Sequence, residues 1–97
     1  MPTGSVASVP FTLSRAGQWV QLEEVWKEGF WVDNDRALVV PDGANVSLRH
    51  NFIWPPWHWE VGLGGGTHRF YIADGWNKFQ ARLNTPSTGL VVVRWIL

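Results

Sequence analysis

Along most of this chain apolar and polar side chains alternate with a period of two, which is the pattern of strands that bury one face and wet the other. Val46, Leu48, His50 and Phe52 alternate with Ser47, Arg49, Asn51 and Ile53; after a proline-rich break, Trp57, Trp59, Val61 and Leu63 alternate with His58, Glu60 and Gly62. His68, Phe70 and Ile72, and later Phe79, Ala81 and Leu83, share an apolar face, with Arg69, Tyr71, Lys78, Gln80 and Arg82 on the other side. Phe11-Thr12-Leu13-Ser14 and Trp19-Val20-Gln21-Leu22 are looser versions, and the glycine in Arg15-Ala16-Gly17-Gln18 predicts a hairpin between them. Asp74-Gly75 predicts a second hairpin, in which Ala73 faces Trp76, Phe70 faces Phe79 and His68 faces Ala81.

Other stretches are less regular. Leu22, Val25 and Trp26 have helical spacing and Glu23 lies four residues before Lys27, which leaves room for one short helical turn near 22–29. A period of two through Val20, Leu22, Trp26, Phe30 and Val32 favours strands instead. Asp33-Asn34-Asp35 is a turn cluster, and Ala37-Leu38-Val39-Val40 is a short apolar run stopped by Pro41-Asp42-Gly43. Gly64-Gly65-Gly66 reads as a flexible hairpin connection. The final run, Leu90 to Leu97, is apolar on both faces apart from Arg94, so it predicts a strand covered on both sides. The expected fold is all-β: a small antiparallel β-sandwich or jelly-roll-like domain, residues 1–97 forming one domain with residues 1–10 as an N-terminal arm rich in small residues and proline.

Composition narrows this further. A chain of 97 residues supports one core, and with no cysteine that core has neither disulfides nor thiolate metal sites. Eight tryptophans and five phenylalanines supply it, each ring removing roughly 150 to 250 Å² from water when buried. Net charge is zero, against the basic excess of a nucleic-acid binder. The halves differ: residues 1–42 hold six acids against three bases, and residues 43–97 hold two acids against five bases, a polarity suited to head-to-tail association. Neither a signal peptide nor a run of roughly 20 apolar residues is visible, so the sequence predicts a soluble protein made in the cytoplasm, without membrane insertion.

The candidate chemistry is thin. His50, His58 and His68, with Glu60 near His58, are residue types that bind zinc or iron, but their spacing matches no compact ligand signature and structural histidines explain them better. No metal or other cofactor is expected. Asp33 with Asp35 and Glu23 with Glu24 are local clusters that turns and solvated edges explain. The Gly-x-Ser-x-Gly elbow is absent, and Gly62-Leu63-Gly64-Gly65-Gly66 lacks the lysine of a phosphate loop. These absences point away from an enzyme.

Trp54-Pro55-Pro56-Trp57-His58-Trp59 concentrates three tryptophans around a stiff proline bend. It suggests a platform on which Trp54, Trp57 and Trp59 stack against sugar faces while Arg49, His58 and Glu60 bond hydroxyls, as in a carbohydrate-binding module. The abundance of large aromatics and the apolar carboxyl end favour a different first reading: a non-enzymatic structural protein that docks into a homo-oligomer or larger assembly, such as a virion decoration, collar or fibre component. Arg94, Trp95, Ile96 and Leu97 are the expected interface.

Overall fold

A computed structural model describes residues 8–14, 17–27, 36–52, 58–72, 75–84 and 90–97. They form eight strands: β1 (Ser8–Leu13), β2 (Val20–Lys27), β3 (Arg36–Val40), β4 (Val46–Phe52), β5 (His58–Leu63), β6 (Gly66–Phe70), β7 (Gly75–Leu83) and β8 (Val91–Ile96). Two four-stranded antiparallel sheets result, ordered β1-β8-β3-β6 and β2-β7-β4-β5. The pairs β1 with β8, β2 with β7, β3 with β6 and β4 with β5 describe one long antiparallel ribbon. It doubles back between Phe52 and His58 and is then rolled so that β8 also meets β3 and β7 also meets β4. This is the strand order of a jelly roll. Most of the tryptophan-proline stretch, residues 53–57, lies outside the described residues. Among the described residues there is no helix, and hence none long and apolar enough to cross a membrane.

The alternation read from the sequence is the alternation of the faces. Val46, Leu48 and His50 of β4, Phe79, Ala81 and Leu83 of β7, and Phe70 with Ile72 point inward and are buried. Leu38 and Val40 of β3 and Val91, Val93 and Trp95 of β8 meet them from the other sheet. Val20 to Lys27 is strand, and the helical spacing there has another cause: a bulge between Gln21 and Glu23 inserts Leu22, so Leu22 and Glu23 both serve the inner side.

Both expected hairpins are corrected. β1 and β2 lie in different sheets, as do β6 and β7, and the links between them cross from one sheet to the other. Consecutive strands are neighbours in one sheet only at β4–β5. In a sandwich both sheets turn their apolar faces to the same core, so alternation fixes the face of Phe70 and Phe79 without fixing their pairing. Phe70 pairs with Arg36, and Phe79 with His50 and Glu23. The supposed hairpin glycines are likewise a crossing between β5 and β6. A Cβ on Gly65 would stand 2.8 Å from Asp42 Oδ1 and 2.9 Å from Asp42 Cα, so this segment is packed against the turn before β4 rather than loose.

At the ends, Ser8, Val9 and Pro10 belong to β1 rather than to an arm, pairing with Ile96, Trp95 and Arg94. Pro10 is tolerated because β1 is an edge strand, where a missing N–H breaks no central ladder. β8 is central in its sheet but is covered on one face alone: Val91, Val93 and Trp95 are buried, whereas Val92 and Arg94 are exposed.

Candidate functional site

Two polar groups inside the sandwich set its geometry. Glu23, aimed inward by the bulge, accepts hydrogen bonds from Arg36 Nε at 2.7 Å, Arg36 Nη2 at 3.0 Å and the Trp95 indole N–H at 2.8 Å. One carboxylate of the β2 sheet thereby clasps β3 and β8 of the other sheet. His50 is fully buried, stacked on Phe79 at 4.2 Å between ring centroids, with Nε2 2.8 Å from Asn77 Oδ1. The Asn77 amide nitrogen donates to the Gly75 carbonyl, so its oxygen faces the ring and His50 carries its proton on Nε2. Burial depresses the His50 pKa from 6.5 to about 4, against the weaker upward effect of the Asn77 bond.

Of the six residues read as a tryptophan platform, the structure separates Trp59 from Arg49 and Glu60. Trp54 and Trp57 lie outside the described residues. Trp59 faces inward, packing against the core beside Phe70 and His50, while Arg49 and Glu60 point to the outer face of the same sheet. Their near contact is 3.9 Å between Arg49 Nη1 and Glu60 Oε1. His58 occupies the register position opposite Asn51.

That outer face carries other tryptophans, which the sequence pattern did not single out. Trp26 of β2 and Trp76 of β7 are register partners pointing away from the core; Trp26 is 59% exposed, and the Trp76 indole N–H donates to Glu24 Oε2. At the opposite end, Gly17 donates its N–H to the Leu83 carbonyl, with φ at 81°, and so holds the segment before β2 against the end of β7. Trp19 comes to lie over two guanidinium groups, 4.2 Å from Arg49 and 4.7 Å from Arg82. Between the two stations Gln80 Oε1 accepts from both Arg49 Nε and Asn51 Nδ2.

The outer face of the other sheet is different in kind. Its rows, read across the strands, are Thr12 with Val92, then Pro10, Arg94, Val39 and Thr67, then Ser8, Ile96, Ala37 and Arg69. Val92 is 46% exposed and Leu97, just past β8, is 42% exposed. Trp95 must be removed from the expected interface, because at 0% exposure it belongs to the chain's own core against Phe79 and Phe70. Arg94 and Ile96 do lie on the outer face, with Arg94 Nη1 donating to Ser8 Oγ.

No protein-family model, curated protein or solved structure matches this chain. The reading of its function therefore rests on side chains, since the same strand order serves capsid, lectin and enzyme domains alike.

His50 and His68 are not brought together as ligands, and the His58 side chain lies outside those described. His50 is in the core, and His68 Nε2 lies 2.8 Å from the Gly64 carbonyl, to which it donates across the β5–β6 crossing. Among the described residues no three His, Asp or Glu side chains cluster as a metal would need. A cleft of about 530 Å³ opens between the edge strands β5 and β6, lined by Trp59, Val61, Leu63, Thr67, His68, Arg69, Phe70 and Tyr71. The Trp59 indole N–H, buried at this edge, has no hydrogen-bond partner among the described residues. Such a group costs about 1–3 kcal/mol.

Proposed function

We propose that this protein is a non-enzymatic structural subunit that associates with copies of itself, in the manner of a virion decoration, collar or fibre component. One observation carries the reading: the solvent side of β1-β8-β3-β6 presents Val92, Val39, Ile96 and Pro10, with Leu97 beside them, where a monomer's open sheet face is ordinarily polar. The only charges on that face among the described residues are Arg69 and Arg94. Two such faces meeting about a two-fold axis would oppose cations to cations. The surface instead suits a different, acid-bearing part of the next copy; of the described acids in residues 1–42, Glu24 and Asp42 are exposed, whereas Glu23 is engaged inside the sandwich. Head-to-tail contacts of this sort close into rings or extend as fibres.

The test is a charge placed on the most exposed apolar strand residue of the face. Val92→Glu is solvent-exposed at its site and leaves the core intact, so light scattering of a folded Val92→Glu protein is expected to give the monomer mass where the parent chain gives a multiple of it. A variant that keeps the parent's mass would overturn the reading.

A further inference from the structure

We propose that the opposite face of the molecule, the outer side of β2-β7-β4-β5, binds an acidic polysaccharide, with a tryptophan station at each end and a cationic, amide-rich floor between. This is a separate surface from the one proposed for assembly, and the two stand or fall independently.

Spacing is the first support. Trp76 and Arg82 lie six residues apart on β7, about 20 Å at the rise of an extended strand. Trp26 and Trp76 therefore sit that far from the Trp19 station over Arg49 and Arg82. A chain of several sugar units can rest one ring on each station, because the apolar faces of sugars pack on indole rings and their hydroxyls point sideways to the floor. A ligand of one or two sugar units would reach one station only.

The second support is preorganisation. The Trp76 ring is held by its bond to Glu24, Trp19 by the Gly17 anchor and two arginines, and the Gln80 amide by Arg49 and Asn51. Groups already fixed lose little freedom when a ligand arrives.

Charge selects the class of polysaccharide. The described residues of this face carry Arg49, Arg82 and Lys78 against Glu24 and Glu60. Glu24 is engaged by Trp76, and neither Arg82 nor Lys78 has a carboxylate within ion-pair distance among the described residues. Arg49 and Arg82, 4.2 and 4.7 Å from the Trp19 ring centroid, carry guanidinium groups that can pair with a planar carboxylate, so uronic-acid chains are favoured over neutral glucans.

Affinity electrophoresis through gels containing polygalacturonate or hyaluronate, with dextran gels as the neutral reference, tests this directly. Retardation is expected on the acidic polymers alone, and it should weaken as salt is raised. Trp26→Ala and Arg82→Gln, both outside the core, should each weaken binding by about tenfold or more. Near-ultraviolet circular dichroism establishes that each variant is folded, and light scattering that its mass is the parent's. Absence of retardation on the acidic gels, or retardation unchanged by both substitutions, would overturn the assignment. So would tighter binding to single-stranded poly(U), which would make the face a nucleic-acid site.

Discussion

The buried histidine illustrates how one side chain ties sequence, packing and pH together. His50 alternates with Leu48 and Phe52, and the period of two correctly assigns it to the inner face; what the pattern lacks is its partner, since Asn77 is 27 residues away on β7. In the folded protein its pKa is about 4, below the ordinary 6.5, so between those values the unfolded chain binds more protons than the folded one. Its contribution is therefore complete above about pH 6.5 and is lost as pH falls toward 4, by up to about 3 kcal/mol at 1.4 kcal/mol per unit. Titration of the His50 ring by NMR is expected to give a midpoint near 4; a value of 6.5 or higher would contradict the burial. In the sequence Glu23 reads as a member of an acidic pair and as a helical-spacing partner of Lys27. Its inward aim depends on the bulge and on Arg36 and Trp95, 13 and 72 residues away. Glu23→Ala leaves the Arg36 charge half-enclosed and the Trp95 indole N–H without its acceptor, and denaturant melts should show a loss of about 3 kcal/mol. A loss under 0.5 kcal/mol would contradict the clasp.

For single strands the sequence is a good guide and for their connections a poor one. The faces of β4, β7 and β8 follow from side-chain alternation, but a crossing between sheets and a tight hairpin use the same glycines, asparagines and aspartates. The links β1–β2 and β6–β7 were misread for that reason, and the outer cover expected for β8 was inferred from Val92, which is apolar yet exposed. Gly65 separates the two kinds of link experimentally. A methyl group there would collide with the Asp42 backbone, so Gly65→Ala is expected to destabilise by about 1–3 kcal/mol. Gly64→Ala meets nothing within 4 Å and should stay within about 0.5 kcal/mol of the parent. Equal effects at the two positions would mean that the β5–β6 crossing is not packed against the turn at Pro41 and Asp42.

At the scale of the whole molecule the sandwich divides its surroundings between two unlike faces. One mixes exposed apolar residues with two arginines, Arg94 on the central strand β8 and Arg69 on the edge strand β6; the other is polar and, among the described residues, holds three tryptophans outside the core. Composition announced that tryptophan was in excess but not where it goes: Trp95 and Trp59 pack inside, and Trp19, Trp26 and Trp76 pack outside. The Trp54 to Trp57 stretch stands out in the sequence but lies outside the described residues, whereas the described side chains that converge come from strands distant in sequence. Self-association through the β1-β8-β3-β6 face is the central claim, and sedimentation equilibrium of the unaltered chain over a wide concentration range tests it most directly. A defined mass above 11.0 kDa that is reached as concentration rises is the predicted result. A mass that stays at 11.0 kDa throughout would contradict it.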